Sequence, residues 1–254
     1  MPQQQVTASH YATIANHYNH AFFHGDSIHY QKWVLNKVLH HLQLIPSDQV
    51  VDLGCGTGTF TSALYDEANL NQDILGVDSS PAMLKPANTL KGVMTHCADA
   101  VSFAQLNEYQ YDKVLMMGVI HHIEPDNLPT LYSGLYQQLR KGGKLLTVTR
   151  PAVVHYPFFQ AALDIWPQSQ LDSTIYVRLQ QNAGFRVNCQ TYDYPITISK
   201  KDWFEMIKNR FWSIFSHFND EELQAGLMTL EREYVHVDIL QFVDTLIFLE
   251  ALRV

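Results

Sequence analysis

The sequence predicts an α/β fold: a doubly wound, mostly parallel seven-stranded sheet with helices on both faces and a last strand running antiparallel. Three observations predict it. Between residues 49 and 151, short apolar runs alternate with helically spaced segments five times, with short links. A glycine-dense turn, VDLGCGTG (51–58), follows the first of those runs. Apolar residues make up 46% of the 254 positions, enough to bury a sizeable core. Such alternation implies right-handed crossovers, with ligands bound outside the carboxyl ends of the strands.

The elements follow in order. HYATIANHYNHAFFH places Tyr11, Ile14, Tyr18 and Phe22 on one face of an N-terminal helix. Residues 27–44 form a second helix, with Trp33, Val34, Val38, Leu39 and Leu42 at helical spacing and Pro46 as the stop. QVVDL (49–53) is a buried strand, and a helix over about 58–68 follows the glycine turn. DILGVD (73–78) is the second strand; Ser80 caps the helix that Pro81 opens. GVMTHCAD (92–99) and YDKVLMMGV (111–119) are the third and fourth strands. The segment 128–143 reads as a helix stopped by Gly142 and Gly143, and KLLTVTRP (144–151) as the fifth strand. After 151 the alternation breaks. Residues 171–183 look helical, 185–191 supply a sixth strand, two or three aromatic-rich helices fill 200–233, and a final strand starts near 241. A strand arriving that late, after helices, is expected to enter the sheet antiparallel.

Composition narrows the function classes. The formal net charge is −8, and no Lys/Arg run stands ready to neutralise a phosphate backbone, which disfavours nucleic acid as a partner. Cys55, Cys97 and Cys189 are odd in number and in no CxxC spacing, as reduced thiols of a cytoplasmic protein would be. MPQQQVTASH lacks an apolar leader core, and no apolar run reaches the ~20 residues of a membrane span. The 13 histidines, several clustered at His10, His17, His20, His24 and His29, show no metal-ligand spacing, so no metal is expected.

The glycine turn has three possible ligands: a phosphate, a dinucleotide, or a group without phosphate. A phosphate loop of the GxxxxGK[ST] type needs a lysine that the turn lacks. The dinucleotide pattern GxGxxG is missed, because Thr59 holds the place of its last glycine. The acids decide more. Asp52, Asp78 and Asp99 end the first three strands. Together they would repel a pyrophosphate, yet suit a ligand with ribose hydroxyls at one end and positive charge at the other. S-adenosylmethionine is such a ligand. An NAD(P) oxidoreductase is the weaker alternative.

With those residues in hand, the chain resembles a class I S-adenosylmethionine-dependent methyltransferase, Rossmann-like and of the small-molecule type. The matching motifs are VDLGCGTG (51–58), LGVDSSPAML (75–84), CADA (97–100), DKVLMMGVIHHI (112–123) and LRKGGKLLTV (139–148), in the family's order. The resemblance implies that Gly54, Gly56 and Gly58 lie against the methionine part of the cofactor and that Asp52 helps to hold its amino group. It further implies that Asp78 binds both ribose hydroxyls, that Asp99 and the Ala100 backbone read the adenine edge, and that Met83 packs on the adenine face. Met117 and Gly118 would offer backbone groups to the methionine. The plain alternatives are turn capping for Asp52, Asp78 and Asp99, and core packing for Met83 and Met117. Cys55 has no base placed near it and is not read as a nucleophile.

Methyl transfer from a sulfonium is an in-line displacement, so the protein's task is alignment and exclusion of water. His121 and His122, after the fourth strand, are candidate bases or substrate anchors; similar families carry a structural histidine at the position of His122. His155 and Tyr156, after the fifth strand, are the second candidate pair, and Tyr11 and Tyr18 are candidate lid residues. Tyr156, Phe158, Phe159, Trp166, Trp203, Phe211 and Trp212 could wall an apolar pocket or simply be core, and Arg150, Arg178 or Arg210 could anchor a carboxylate. The expected organisation is one domain: N-terminal helices or lid (1–45), cofactor-binding core (46–151), substrate-side elaboration (152–240) and final strand (241–254). The expected activity is methyl transfer to O, N or C of a small metabolite. A catalytically inactive cofactor-binding partner or regulatory protein is the alternative, and the oligomeric state is not legible.

Overall fold

A computed structural model describes residues 27–106 and 110–254. The expected N-terminal helix, with Tyr11 and Tyr18, lies outside the described residues. Helix α1 (Ser27–Leu42) stops at Gln43, whose φ is 52°. Then come β1 (Val50–Leu53), α2 (Thr59–Ala68), β2 (Ile74–Asp78), α3 (Pro81–Ala87), β3 (Val93–Cys97), α4 (Ala100–Ala104) and β4 (Tyr111–Met117). Ser80 caps α3 as expected, its Oγ accepting from the Met83 N–H at 3.4 Å. Two short 3₁₀ turns, Ile120–His122 and Pro125–Asn127, lead into α5 (Leu128–Gln138).

The seven strands form one sheet in the order β3-β2-β1-β4-β5-β7-β6. Strands β3, β2, β1, β4 and β5 (Leu139–Thr149) pair in parallel. β7 (Ile239–Arg253) pairs antiparallel to β5 and to β6 (Phe185–Ser199), so the late strand runs as expected. The winding reverses between β1 and β4. That opens a crevice at their carboxyl ends, where this architecture binds ligands.

Three elements depart from the sequence reading. Helix α5 ends at Gln138, not at the two glycines. Leu139 is fully buried in the sheet opposite Tyr111, and Gly142 (φ 81°) instead serves a bulge that shifts the β4–β5 register. Helix α6 (Gln160–Ser169) is hidden in the sequence pattern, because Pro167 within it interrupts the helical spacing. β6 continues through Tyr194 and Pro195 to Ser199, twice its expected length. It is an edge strand, so Pro195 needs no ladder partner for a missing N–H.

That extra length matters. β5 pairs with β7 only across Lys144–Thr149, opposite Leu252–Ile247, while β6 pairs with β7 along its whole length. The far part of β6 and β7 is therefore a two-stranded ribbon beyond the carboxyl edge of the parallel strands. Inserted between those strands are α8 (Lys200–Lys208), a 3₁₀ turn at Ser213–His217 and α9 (Asp220–Glu233). One sheet face packs under α4, α5 and α7 (Ser173–Asn182) through Phe103, Leu131, Leu135 and Tyr176; the other packs under α1 and α2 through Val38, Leu42 and Leu64. A separate aromatic core of Phe158, Phe159, Trp203, Phe215 and Leu227 holds the added helices to the ribbon.

Candidate functional site

Around the crevice, the described residues enclose a cavity of about 790 Å³ that runs from the glycine turn to the ribbon and added helices. The turn is shaped by its own backbone. Gly54 and Cys55 donate their N–H groups to Val77 O at 2.6 and 3.1 Å, which hangs the turn on the end of β2. Gly54 takes φ 84°, and a Cβ there would fall 2.1 Å from Val119 Cγ2. Gly56 (φ 56°) and Gly118 (φ 69°) also need left-handed backbone, but a Cβ at either would meet no heavy atom within 4 Å. Their bare backbones therefore face open cavity from both sides of the crevice. That is the room a ligand needs to lie against the chain.

Gly54, Gly56, Asp78, Met83, Asp99, Ala100, Met117 and Gly118 all line the cavity, as the sequence reading expects of cofactor contacts. Asp78 is held in place by the turn: its Oδ2 accepts from Gly56 N–H at 3.0 Å and its Oδ1 from Ser80 N–H at 2.8 Å. Burial raises its pKa, and those two donors pull the other way. The capping role and the ligand role are thus compatible, because each carboxylate oxygen keeps a lone pair. Asp99 caps α4, its Oδ1 accepting from Val101 and Ser102 N–H at 3.0 and 2.9 Å. Burial opposes its ionisation, but the hydrogen bonds from Ser102 and Val101 keep the pKa below the ordinary value.

Other expected positions turn out differently. Gly58 does not line the cavity; its missing Cβ lets the turn pack on α3, where a Cβ would meet Ala87 Cβ at 2.8 Å. Asp52 is also absent from the lining. It lies buried beneath the turn, accepting from Thr61 Oγ1 at 2.5 Å, and burial pushes its pKa up to about 6. Cys55 packs against Gly76, and burial raises its thiol pKa, in keeping with an unreactive side chain.

On the substrate side, His121 and His122 line the cavity with ring centroids 3.9 Å apart. Burial lowers the pKa of His121 well below the ordinary value, and the nearby His122 and Arg150 add to that, so His121 is a neutral imidazole at pH 7. His155 is exposed and outside the lining, because the extended chain turns its successor Tyr156 inward instead. Tyr156 lines the cavity, but its hydroxyl donates to Asp244, and burial raises its pKa. It is a committed donor, not a base. Trp166, Trp203, Phe211 and Trp212 do wall the cavity, whereas Phe158 and Phe159 are core. Arg178 is exposed, and Arg210 is bound to Asp220 at 2.7 Å and to the Phe215 carbonyl, which leaves Arg150 as the cavity arginine.

Sequence reasoning missed Tyr30 and Asp244. Asp244 lies on the ribbon, Tyr30 on α1, and both meet Arg150 at the cavity wall. Their separation along the chain leaves no local signal; the one hint is an acid, Asp244, in the middle of an apolar final strand.

Residues 50–143 match the family model described as "Methyltransferase domain". An uncharacterized methyltransferase of Schizosaccharomyces pombe is 23% identical over 205 residues, covering 72% of this chain and 77% of that protein. Among solved structures, a candidate methyltransferase from an antibiotic biosynthesis pathway of Anabaena variabilis superposes with a TM-score of 0.66 at 20% identity. It covers 85% of this chain and 95% of its own. A phosphoethanolamine N-methyltransferase of Haemonchus contortus, solved with S-adenosylhomocysteine, gives 0.53 at 19% identity over 86% of this chain and 52% of its own. Sheet order, glycine turn and matched segment agree: the chain carries a methyltransferase domain and has the fold of the class I methyltransferases. More particularly, it is an enzyme whose cofactor is S-adenosylmethionine, with the methyltransferase domain in residues 50–143. None of its described helices is long and apolar enough to cross a membrane.

Proposed function

We propose that the chain transfers the cofactor's methyl group to an O, N or C atom of a small, largely apolar metabolite by in-line displacement. The observation that carries this is the single cavity joining the glycine turn to the aromatic wall. Gly54, Gly56 and Gly118 make room for the methionine moiety. Asp78 takes the ribose hydroxyls, and Met83, Asp99 and Ala100 take the adenine. Tyr18 is a further cofactor contact in this proposal. Bound S-adenosylmethionine supplies a methyl group already activated on a sulfonium.

The chain's own residues then align the acceptor and keep water out. Trp203, Trp212 and Ile198 bury its hydrocarbon. His121, a neutral imidazole facing the cavity, accepts a hydrogen bond or a proton from the nucleophile. In this proposal the functional division of the chain is lid (1–45), cofactor-binding core (46–151), substrate side (152–240) and final strand (241–254).

Two measurements test the reading. Calorimetry should show S-adenosylmethionine and S-adenosylhomocysteine binding with no comparable binding of NAD. Asp78→Ala should weaken S-adenosylhomocysteine at least about tenfold, because it removes the ribose acceptor and frees the Gly56 and Ser80 amides; an unchanged affinity removes Asp78 from the site. Release of S-adenosylhomocysteine with apolar hydroxy or carbonyl compounds would establish turnover. Tight cofactor binding without turnover on any of them would point to a cofactor-binding partner protein instead.

A further inference from the structure

Arg150 follows β5 and joins the cavity wall with a guanidinium that is largely committed. Its Nε donates to Asp244 Oδ1 at 2.9 Å and its Nη2 to Oδ2 at 3.0 Å, a bidentate pair. Tyr156 donates to one oxygen of Asp244 and Tyr30 to the other. The same hydroxyls lie 3.1 Å from Arg150 Nε and 3.3 Å from Nη2. Four donors thus fill the acceptor capacity of Asp244, and three elements, α1, the segment after β5, and β7, clamp the arginine in one orientation.

One part of the fork is left over. Arg150 Nη1 makes no hydrogen bond among the described residues, and it is not sealed away from solvent. The side chain is 28% exposed and lines the same cavity as His121. The substrate side of the cavity is walled mostly by hydrocarbon, from Ile196, Ile198, Trp203, Trp212 and Phe242, with a few polar side chains such as Gln170 and Ser213. An unpartnered, rigid donor on a side chain that lines such a cavity would fix the orientation of one polar atom on an otherwise apolar molecule.

Charge selects the kind of atom. Arg150 and Asp244 cancel, so the clamp is neutral as a unit. With the neutral thioether of S-adenosylhomocysteine in place of the sulfonium, a substrate carboxylate on Nη1 would lie close to Asp244 with no side-chain cation of its own, and a buried anion without a partner is strongly disfavoured. The other lysine or arginine of the lining, Lys32, is exposed and so gives no buried counter-charge. A neutral oxygen acceptor carries no such penalty.

We propose that Arg150 Nη1 anchors a neutral carbonyl oxygen (ketone, ester or amide) of an apolar methyl acceptor, and that Asp244, Tyr30 and Tyr156 are positioning residues that hold the anchor and keep it neutral. The inference rests on the methyltransferase reading and narrows its substrate class.

Three probes of one size test it on the full chain loaded with S-adenosylhomocysteine: 2-acetylnaphthalene, 2-isopropenylnaphthalene and 2-naphthoate. Binding is read by quenching of tryptophan fluorescence, since Trp166, Trp203 and Trp212 line the cavity. The ketone should bind about tenfold more tightly than either the hydrocarbon or the carboxylate. In Arg150→Lys, which keeps a cation for Asp244 but lacks the fork, the ketone's advantage over the hydrocarbon should fall to within about twofold while the hydrocarbon's own affinity is kept. Asp244→Asn keeps an acceptor but breaks neutrality, and should improve 2-naphthoate at least about tenfold relative to the ketone. The second variant decides the matter if the first does not fold. A wild-type preference for the carboxylate, a ketone that binds no better than the hydrocarbon, or a carboxylate unaffected by Asp244→Asn overturns the proposal. Failure of the wild type to bind S-adenosylhomocysteine would overturn the methyltransferase reading instead; the same probes, run without it, would still decide the anchor.

Discussion

At the scale of single residues, glycines that look alike in the sequence do different physical jobs. Gly54 is needed for packing, since its Cβ would strike Val119; a Cβ at Gly56 would meet no heavy atom within 4 Å, so its proposed role is to leave room for the ligand. Gly54→Ala should therefore lower stability by at least about 2 kcal/mol from left-handed strain and overlap, a fall in Tm of several degrees. Gly56→Ala should cost about 1 kcal/mol in stability but weaken S-adenosylhomocysteine at least about tenfold. A Gly56 variant with full affinity would remove that residue from the cofactor site. Asp52 makes a prediction about pH. Its folded pKa, about 6 against an ordinary 3.8, means that the folded chain holds a proton that the unfolded chain releases. Stability then falls as pH rises from about 4 to 6, and the loss persists above that, on the order of 2–3 kcal/mol. Asp52→Asn keeps an acceptor for Thr61 and removes that loss. Its melting temperature should equal the wild type's near pH 4 and exceed it at pH 7.5; equal melting at both would show that Asp52 is not perturbed.

At the scale of elements, the decisive one is the ribbon that β6 and β7 form beyond the parallel strands. It carries Ile196, Ile198, Phe242 and Asp244 to the cavity, and it is the base on which α8 and α9 pack. Helix α1 reaches the same place through Tyr30, whose hydroxyl is shared between Asp244 and Arg150. Burial raises the pKa of Tyr30, and Asp244 adds to it, so the hydroxyl remains a donor across physiological pH. Tyr30→Phe removes that tie without changing the ring packing on Trp33 and Tyr194. Hydrogen exchange of α1 should quicken about tenfold, as expected for one lost hydrogen bond to a charged group. Unchanged exchange would show that α1 is held by its apolar face alone.

At the scale of the whole molecule, the crevice is lined by the ends of β1, β2 and β4, strands of one sheet, and by the starts of α2, α3 and α4. Anything that fills it stabilises those elements together. S-adenosylhomocysteine at a hundred times its Kd should add about 2.7 kcal/mol and raise Tm by several degrees, whereas NAD should not. A Tm unmoved by saturating S-adenosylhomocysteine would contradict the assignment of the crevice.

What the sequence determined by itself is local. Each step of the alternation, the glycine turn, and the acids at or near the ends of β1, β2 and β3 are written within about ten residues, because strand and helix periods and left-handed turns are short-range constraints. That sufficed for the fold class and for Asp78, Met83, Asp99, Ala100, Met117 and Gly118 at the cavity. The tertiary structure decided what depends on which side chain meets which. It buried Asp52 beneath the turn, gave Gly58 to packing and turned His155 outward. It ended α5 at Gln138, where Leu139 turns extended and pairs with Tyr111 in the sheet. It also joined Tyr30, Arg150, Tyr156 and Asp244, which lie as far as 214 positions apart. Long-range convergence of that kind leaves no period in the sequence, since it is the sheet order, with β7 inserted between β5 and β6, that brings Asp244 beside Arg150.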